Sequence, residues 1–490
     1  MRAFALAALI AGLSASASAQ EAPAEAPADW GQALAEDARA FHDLIADSHP
    51  GPVDDQNPDF NALLASGLEL ALARAETAES YAAWYFALQE FQASFDDGHL
   101  SLGQHAAMGH VWRMGWPGFV TGLRGDGDTE RHEVVFSRDP AAPPVGAVLV
   151  SCDSRDAASL AEEVVGRVAG RWALRSRRAR YASTLFVDQG NPYIDRPQTC
   201  LFEVGGETRT YDLTWQDLSD ADRDAGFAAA TSPRYETPIE LRDWPGGVWI
   251  GLGSFESDPS TPDGERLTAL LAEVEARRDE IRAAPIVVFD LRGNGGGSSL
   301  WSSRIARTLW GDDRVAALSP RSEGVDWRVS DGNLEIIEHY RDELFADQPE
   351  AQAWASEIAA GMAEARAAGR PLWRQANDET EGRPSLTGPS PMIGRAYVIT
   401  DYGCASACLD AVDVFLAMGA TPVGQETSGD TVYMDIRDVR LPSGRVTARV
   451  PMKVYRGRER GNNATVRPVH AWDGALSDTA GLEAFIAGLD

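Results

Sequence analysis

The sequence predicts an α/β protein of several domains, on three observations: its length, a change of texture along the chain, and a regular alternation of strands and helices in its second half. At 490 residues it can bury a large core, and at about 150 residues per domain it suggests roughly three domains. Apolar residues recur at helical spacing from Trp30 to Phe95, short β-like runs fill Gly115 to about Asp217, and strands alternate with helices from about Pro238.

Taken in order, residues 1–19 carry Arg2 as their only charge, an apolar stretch from Ala3 to Leu13, and Ala17-Ser18-Ala19 before Gln20. This reads as a signal peptide cleaved after Ala19, which predicts a periplasmic or secreted protein. Residues 20–29 are a Glu/Ala/Pro linker. The segment 30–105 is read as a helical domain, with Trp30, Leu34, Phe41 and Leu44 on one face and Trp84, Leu88, Phe91 and Phe95 on another. Residues 110–220 form a β-rich middle domain, in which Arg124 to Glu130 lacks the ligand spacing of a calcium loop and reads as a hairpin turn. The span 236–490 reads as an α/β domain, interrupted at about 319–385 by a helical, Trp-bearing insertion placed as a candidate lid.

The formal net charge is -30, with 74 acidic against 44 basic residues. Such a surface argues against nucleic acid and anionic lipid as partners, and no later run has the length and apolarity of a membrane span. Lys453 is the only lysine, so lysine chemistry has one place to reside. Cys152, Cys200, Cys404 and Cys408 are expected to pair in an exported chain, and sequence leaves open the three pairings that four cysteines allow. Cys152 with Cys200 would staple the middle region; Cys404 with Cys408 would brace a turn. No Cys/His spacing suggests zinc, and no metal or organic cofactor is expected.

Two segments carry the chemistry. Ile286 to Leu291 is an apolar strand running into Arg292 to Gly297 (RGNGGG) and then a helix opened by Ser298 and Ser299. Glycines and a helix start aim backbone N–H groups at one point, where an anion or a developing oxyanion can sit. Nucleotide binding fits poorly: the loop has no Gly-Lys-Ser/Thr ending, and Ser298 takes the third glycine position of a dinucleotide fingerprint. In Ile399 to Leu409 (ITDYGCASACL), Ser406 lies where a strand turns into a helix, with the N–H of Ala407 behind it. Alone, Ser406 reads more readily as an ordinary serine at a helix N-terminus than as a nucleophile.

Together, Val288 to Gly297 and Tyr397 to Asp430 resemble the catalytic domain of the serine peptidases that include the C-terminal processing (tail-specific) proteases and the tricorn core protease. The resemblance extends to Trp249–Phe255, Ser94–Leu102 and the stretch through His49-Pro50-Gly51. It implies a crotonase-like core, a degenerate PDZ-like middle domain, and hydrolysis of peptides or exported proteins without a cofactor. By resemblance Ser406 is the nucleophile, with oxyanion donors from Gly296 and Ala407. The C-terminal processing branch places a lysine base after a Thr-x-Gly segment; here Asp430 follows Thr427-Ser428-Gly429, so that base is absent. The tricorn-like branch uses histidine, which His99 in DDGHL matches, and a glutamate near the C-terminus, for which Glu459 is the nearest match. Asp96 or Asp97 are substitutes for that acid. Lys453 remains a rival base, although a strand-exposed lysine is its ordinary reading. The opposing reading is a non-catalytic protein of the same fold that binds peptides or apolar ligands, and the oligomeric state is left open.

Overall fold

Three large sheets and one two-stranded ribbon organise the computed structural model, which describes residues 29–104, 113–231, 235–346, 348–376, 383–386 and 388–489. The signal peptide and most of the linker expected at 1–29 lie outside the described residues.

Helices α1 (Trp30–Ser48), α2 (Phe60–Ala75) and α3 (Tyr81–Ala93) form where the apolar stripes predict them. Asp29 caps α1, its side chain accepting from the Gln32 N–H at 3.0 Å, and Ser80 caps α3 in the same way. Leu34, Phe41, Trp84 and Phe91 are buried between them, but their core also takes in Leu441, Val446, Ala448 and Val450 from near the other end of the chain. The expected helical domain is thus not a separate body. Its apolar faces exceed what three helices can cover on one another, and a sheet covers the remainder.

That sheet begins with β1 (Ser101–Gln104), directly after the helices. The middle region is an antiparallel sheet of β2 (Phe119–Arg124), β3 (Arg131–Ser137), β4 (Val148–Cys152), β5 (Thr199–Val204) and β6 (Glu207–Asp212), paired in that order. Arg124 pairs with Arg131, so the segment between them is a hairpin turn as expected. Cys152 lies opposite Cys200 in register, and the two form a disulfide. Helix α4 (Arg175–Tyr181) lies between β4 and β5 in the chain.

The third sheet carries the site. Its six strands run in the order β7 (Glu240–Trp244), β8 (Gly247–Gly251), β9 (Ile286–Asp290), β12 (Arg395–Thr400), β13 (Thr421–Gly424) and β16 (His470–Ala471), parallel from β8 onward. Every residue of β9 is buried, as a strand covered on both faces requires. Helices α5 (Pro262–Ala276) and α6 (Leu300–Trp310) cross between strands; α5 ends at Arg277, where the backbone leaves helical angles before a short further turn of helix to Ala283.

The insertion departs from expectation. Helices α7 (Asp331–His339) and α8 (Pro349–Ala367) are flanked by β10 (Gly324–Arg328) and β11 (Leu372–Ala376), which pair with each other. Strand β10 also pairs with β15 (Val446–Arg456), which pairs in turn with β1 and β14 (Tyr433–Arg440). The segment is therefore built into a sheet, and its tryptophans pack inward: Trp327 and Trp354 are buried in a core with Ile337, Ile358 and Met452. The chain closes with α10 (Thr479–Ala487).

Candidate active site

Strands β9 and β12 lie side by side, so the glycine loop and the Ser406 turn emerge together from neighbouring C-terminal strand ends. The loop is anchored underneath by a buried ion pair: the Arg292 guanidinium grips both carboxylate oxygens of Asp290 and donates to the Leu476 carbonyl. Asp290 accepts a further bond from Trp249 Nε1 at 3.1 Å, and Gly293 N–H donates to Asp401 Oδ2 at 2.7 Å. Ser299 Oγ donates to Asp410 Oδ2 at 2.7 Å, tying the start of α6 to helix α9 (Ala407–Ala417), which follows Ser406.

Ser406 occupies φ +55°, ψ −127°. A non-glycine residue there costs on the order of 1–3 kcal/mol and persists only where its surroundings over-determine it. Three constraints surround this one. Asp430 Oδ2 accepts the Ser406 N–H at 2.6 Å, the Cys404–Cys408 disulfide brackets the turn, and Ser428 N–H donates to the Cys404 carbonyl at 3.0 Å. The Ser406 side chain makes no capping bond, which removes the reading of Ser406 as a helix-capping serine. Among the described residues no acceptor is recorded for the Ala407 N–H, the first amide of α9.

Gly296 meets this turn closely. It sits at φ +110°, and a Cβ built on it would lie 2.7 Å from Ser406 Cβ and 3.2 Å from Ala407 N. Its own N–H, however, donates to Asn294 Oδ1 at 2.8 Å. The expected donor role of Gly296 is corrected accordingly: an asparagine side chain already takes that amide, and the glycine contributes clearance. Among the described residues, the loop amides of Gly295 and Gly297 have no recorded acceptor.

His99 arrives from the opposite side, two residues before β1, and is half-buried. Its N–H donates to Asp97 Oδ1 at 2.8 Å. Thr431 Oγ1 donates to the same oxygen at 2.9 Å, and buried His49 Nε2 lies 3.2 Å from Asp97 Oδ2. Because His49 Nδ1 accepts the Gly51 N–H at 2.8 Å, its proton resides on Nε2 and the ring is neutral. Burial lowers the His49 pKa against the pull of Asp97. Burial alone would raise the Asp97 carboxyl, yet the His49 bond, the electrostatic influence of neighbouring His99 and its backbone donor bring it below its ordinary value.

Asp430 is the meeting point. Fully buried, it holds the Ser406 amide while interacting electrostatically with His99 and Arg458, and burial raises its pKa against both. The Asp430 carbonyl also accepts the Asn463 N–H at 2.6 Å, and Asn463 Nδ2 donates to the Asp96 carbonyl at 2.9 Å. Asp430 thus touches Ser406 directly, and Asn463 links it to the Asp96–His99 segment. No hydrogen bond joins His99 to Ser406, and His99 Nδ1 is buried without a partner among the described residues.

Two expected residues lie elsewhere. Glu459 is exposed, accepting from Arg383 Nη2 at 3.2 Å and from the Arg321 N–H at 3.4 Å, so its carboxylate is engaged away from the imidazole. Lys453 is not strand-exposed. It is buried on β15, 2.8 Å from Asp435 Oδ2, with Trp327 and Tyr455 rings beside it. Burial opposes its charge but Asp435 outweighs burial and raises its pKa, leaving an ammonium with no lone pair to act as base.

No family model matches the chain. No curated protein matches it. Among solved structures, mature CPAF aligns at 13% identity with a TM-score of 0.54, covering 90% of this chain and 93% of that one. Mature CPAF complexed with lactacystin aligns at 14% identity and a TM-score of 0.52, covering 90% and 94%. These likenesses establish a shared fold. Among the described residues no helix is long and apolar enough to cross a membrane, and no group of His, Cys, Asp and Glu is placed to hold a metal ion.

Proposed function

We propose that the chain is a serine peptidase of the kind the two catalytic segments resemble, with Ser406 as nucleophile and His99 as general base. The observation that carries the reading is the Ser406 turn: a left-handed, non-capping serine at a helix N-terminus, pressed against a glycine loop with open amides. His99 takes the Ser406 hydroxyl proton as Oγ bonds to the scissile carbonyl carbon. The oxyanion is held by the Ala407 N–H and a glycine-loop amide. His99 then passes the proton to the leaving amine as the C–N bond breaks, and water, deprotonated by the same imidazole, releases the acyl group. Asp430, on the Ser406 amide and in the field of His99, fixes the strained turn and favours the imidazolium that forms. The crotonase-like core, the PDZ-like middle domain and export beyond the inner membrane belong to this reading, with peptides or exported proteins as substrates.

Labelling by a fluorophosphonate probe, mapped by mass spectrometry, tests it. The expected result is modification of Ser406 that disappears in Ser406→Ala. Folded protein that remains unlabelled, or is labelled elsewhere, contradicts it. The second reading, a binding protein on the same fold, is favoured by the missing His99–Ser406 hydrogen bond; it predicts peptide binding without labelling.

A further inference from the structure

Away from Ser406, a cavity of about 220 Å³ lies between α3 of the helical layer and the middle region. Its apolar lining includes Phe86, Val164, Val168 and Leu185, and its charged lining is Arg177 on α4 with Asp188, Asp195 and Arg196 at the other side. Arg177 Nε donates to the Ala169 carbonyl at 3.1 Å and Nη2 reaches the same carbonyl, with the guanidinium 4.6 Å from the Tyr181 ring centre. The Tyr181 side chain is its further hydrogen-bond partner, and among the described residues no carboxylate lies within ion-pair distance of this arginine. In a chain of 74 acidic residues that is a notable omission. Nearby Asp188 is already paired with Arg196. Burial, with Arg171 and Arg180 adding like charge, lowers the Arg177 pKa to about 10 against the favourable charge and hydrogen bond of the Tyr181 side chain. A half-buried cation without a carboxylate partner, at the wall of a largely apolar cavity, gains most from a ligand that supplies one negative charge and fills the remaining space.

We propose that this cleft binds an aliphatic monocarboxylate, its carboxylate on Arg177 and its chain among Phe86, Val164, Val168 and Leu185. The volume falls below the roughly 300–1,000 Å³ of sites for drug-sized molecules, so the ligand is a chain of several carbons rather than a length of peptide. Because its walls come from both the helical layer and the middle region, an occupant would strap the two together.

Calorimetric titration of the full chain with sodium hexanoate tests the assignment independently of any peptidase activity. Hexanoate should bind, hexanamide should bind at least tenfold more weakly, and Arg177→Gln should erase the difference between them. Val168→Phe, which fills the apolar end while leaving Arg177 in place, should weaken both and guards against a folding defect in the arginine variant. Absence of hexanoate binding, equal affinity for acid and amide, or unchanged binding in Arg177→Gln would overturn the proposal. So would a leucine-ending tripeptide acid that binds more tightly than hexanoate, because the cleft would then be a peptide site.

Discussion

The two halves of the candidate site are built by different means. The Ser406 half is local: a strand, a turn and a helix on each of two adjacent parallel strands, cemented by the Asp290–Arg292 pair and a disulfide spanning four residues. The His99 half is made at a distance. Asp97 is held by Thr431, 334 positions away; Asp54 by Arg456, 402 away; and the helices share their core with β15. The contrast teaches that the conformation of Ser406 is fixed by nearby chain, whereas His99 is positioned only once the ends of the chain have packed together.

The largest effects should come from breaking the pair outright. Ser406→Ala and His99→Ala should each lower peptide hydrolysis by about 10⁴-fold or more, and the double variant should be no worse than Ser406→Ala, as for residues that act as one unit. Additive losses in steady-state kinetics would show that the halves do not cooperate. Next, Gly296→Ala strikes the Ser406 half alone: its new methyl would meet Ser406 Cβ at 2.7 Å from a backbone at φ +110°. A loss of about 10²–10³-fold is expected, the size of one oxyanion-hole defect, with thermal stability lowered far less than in the next variant.

Asp97→Ala strikes the other half. It strands the Nε2–H of His49 and the His99 N–H, while the Thr431 hydroxyl keeps the Tyr433 carbonyl as acceptor, at a cost of about 1–3 kcal/mol for each donor left unsatisfied in the interior. Calorimetry should show a lower melting temperature, while Ser406 stays in its strained conformation. The smallest effect is a pH dependence. His49 has a folded pKa below its unfolded value, so its stabilising contribution is complete above about pH 6.5 and is lost as pH falls through the folded value. Hydrogen exchange in α1–α3 should therefore quicken below that pH, ahead of β9 and β12. Equal quickening in both halves would remove the distinction drawn between them.

The same contrast explains what the sequence made legible. Strand β9, the glycine loop and the Ser406 turn could be read because their determinants are a few residues apart, whereas the sequence left the cysteine pairing open and strand register decides it for Cys152 and Cys200, 48 positions apart. His99 was reached only through family likeness, and its neighbours His49, Thr431 and Asn463 carry no local signal of their contacts. Asp430 was visible as an aspartate standing where one branch has lysine, but its bond to the Ser406 amide depends on a turn that no periodicity encodes. The strands β10 and β11 were hidden for a similar reason: as short runs flanking long helices, they acquire their meaning from pairing with each other and with β15. Lys453 misled because lysine is ordinarily exposed, and its burial is intelligible only with Asp435 opposite.

Whether His99 activates Ser406 is tested most directly by the pH dependence of fluorophosphonate labelling, measured as a rate in the wild type and in His99→Ala. The account predicts a wild-type rate that rises as an imidazole loses its proton, and a variant that reacts at least about 10²-fold more slowly, with that rise abolished. A His99→Ala protein that keeps both the rate and the pH profile would contradict it.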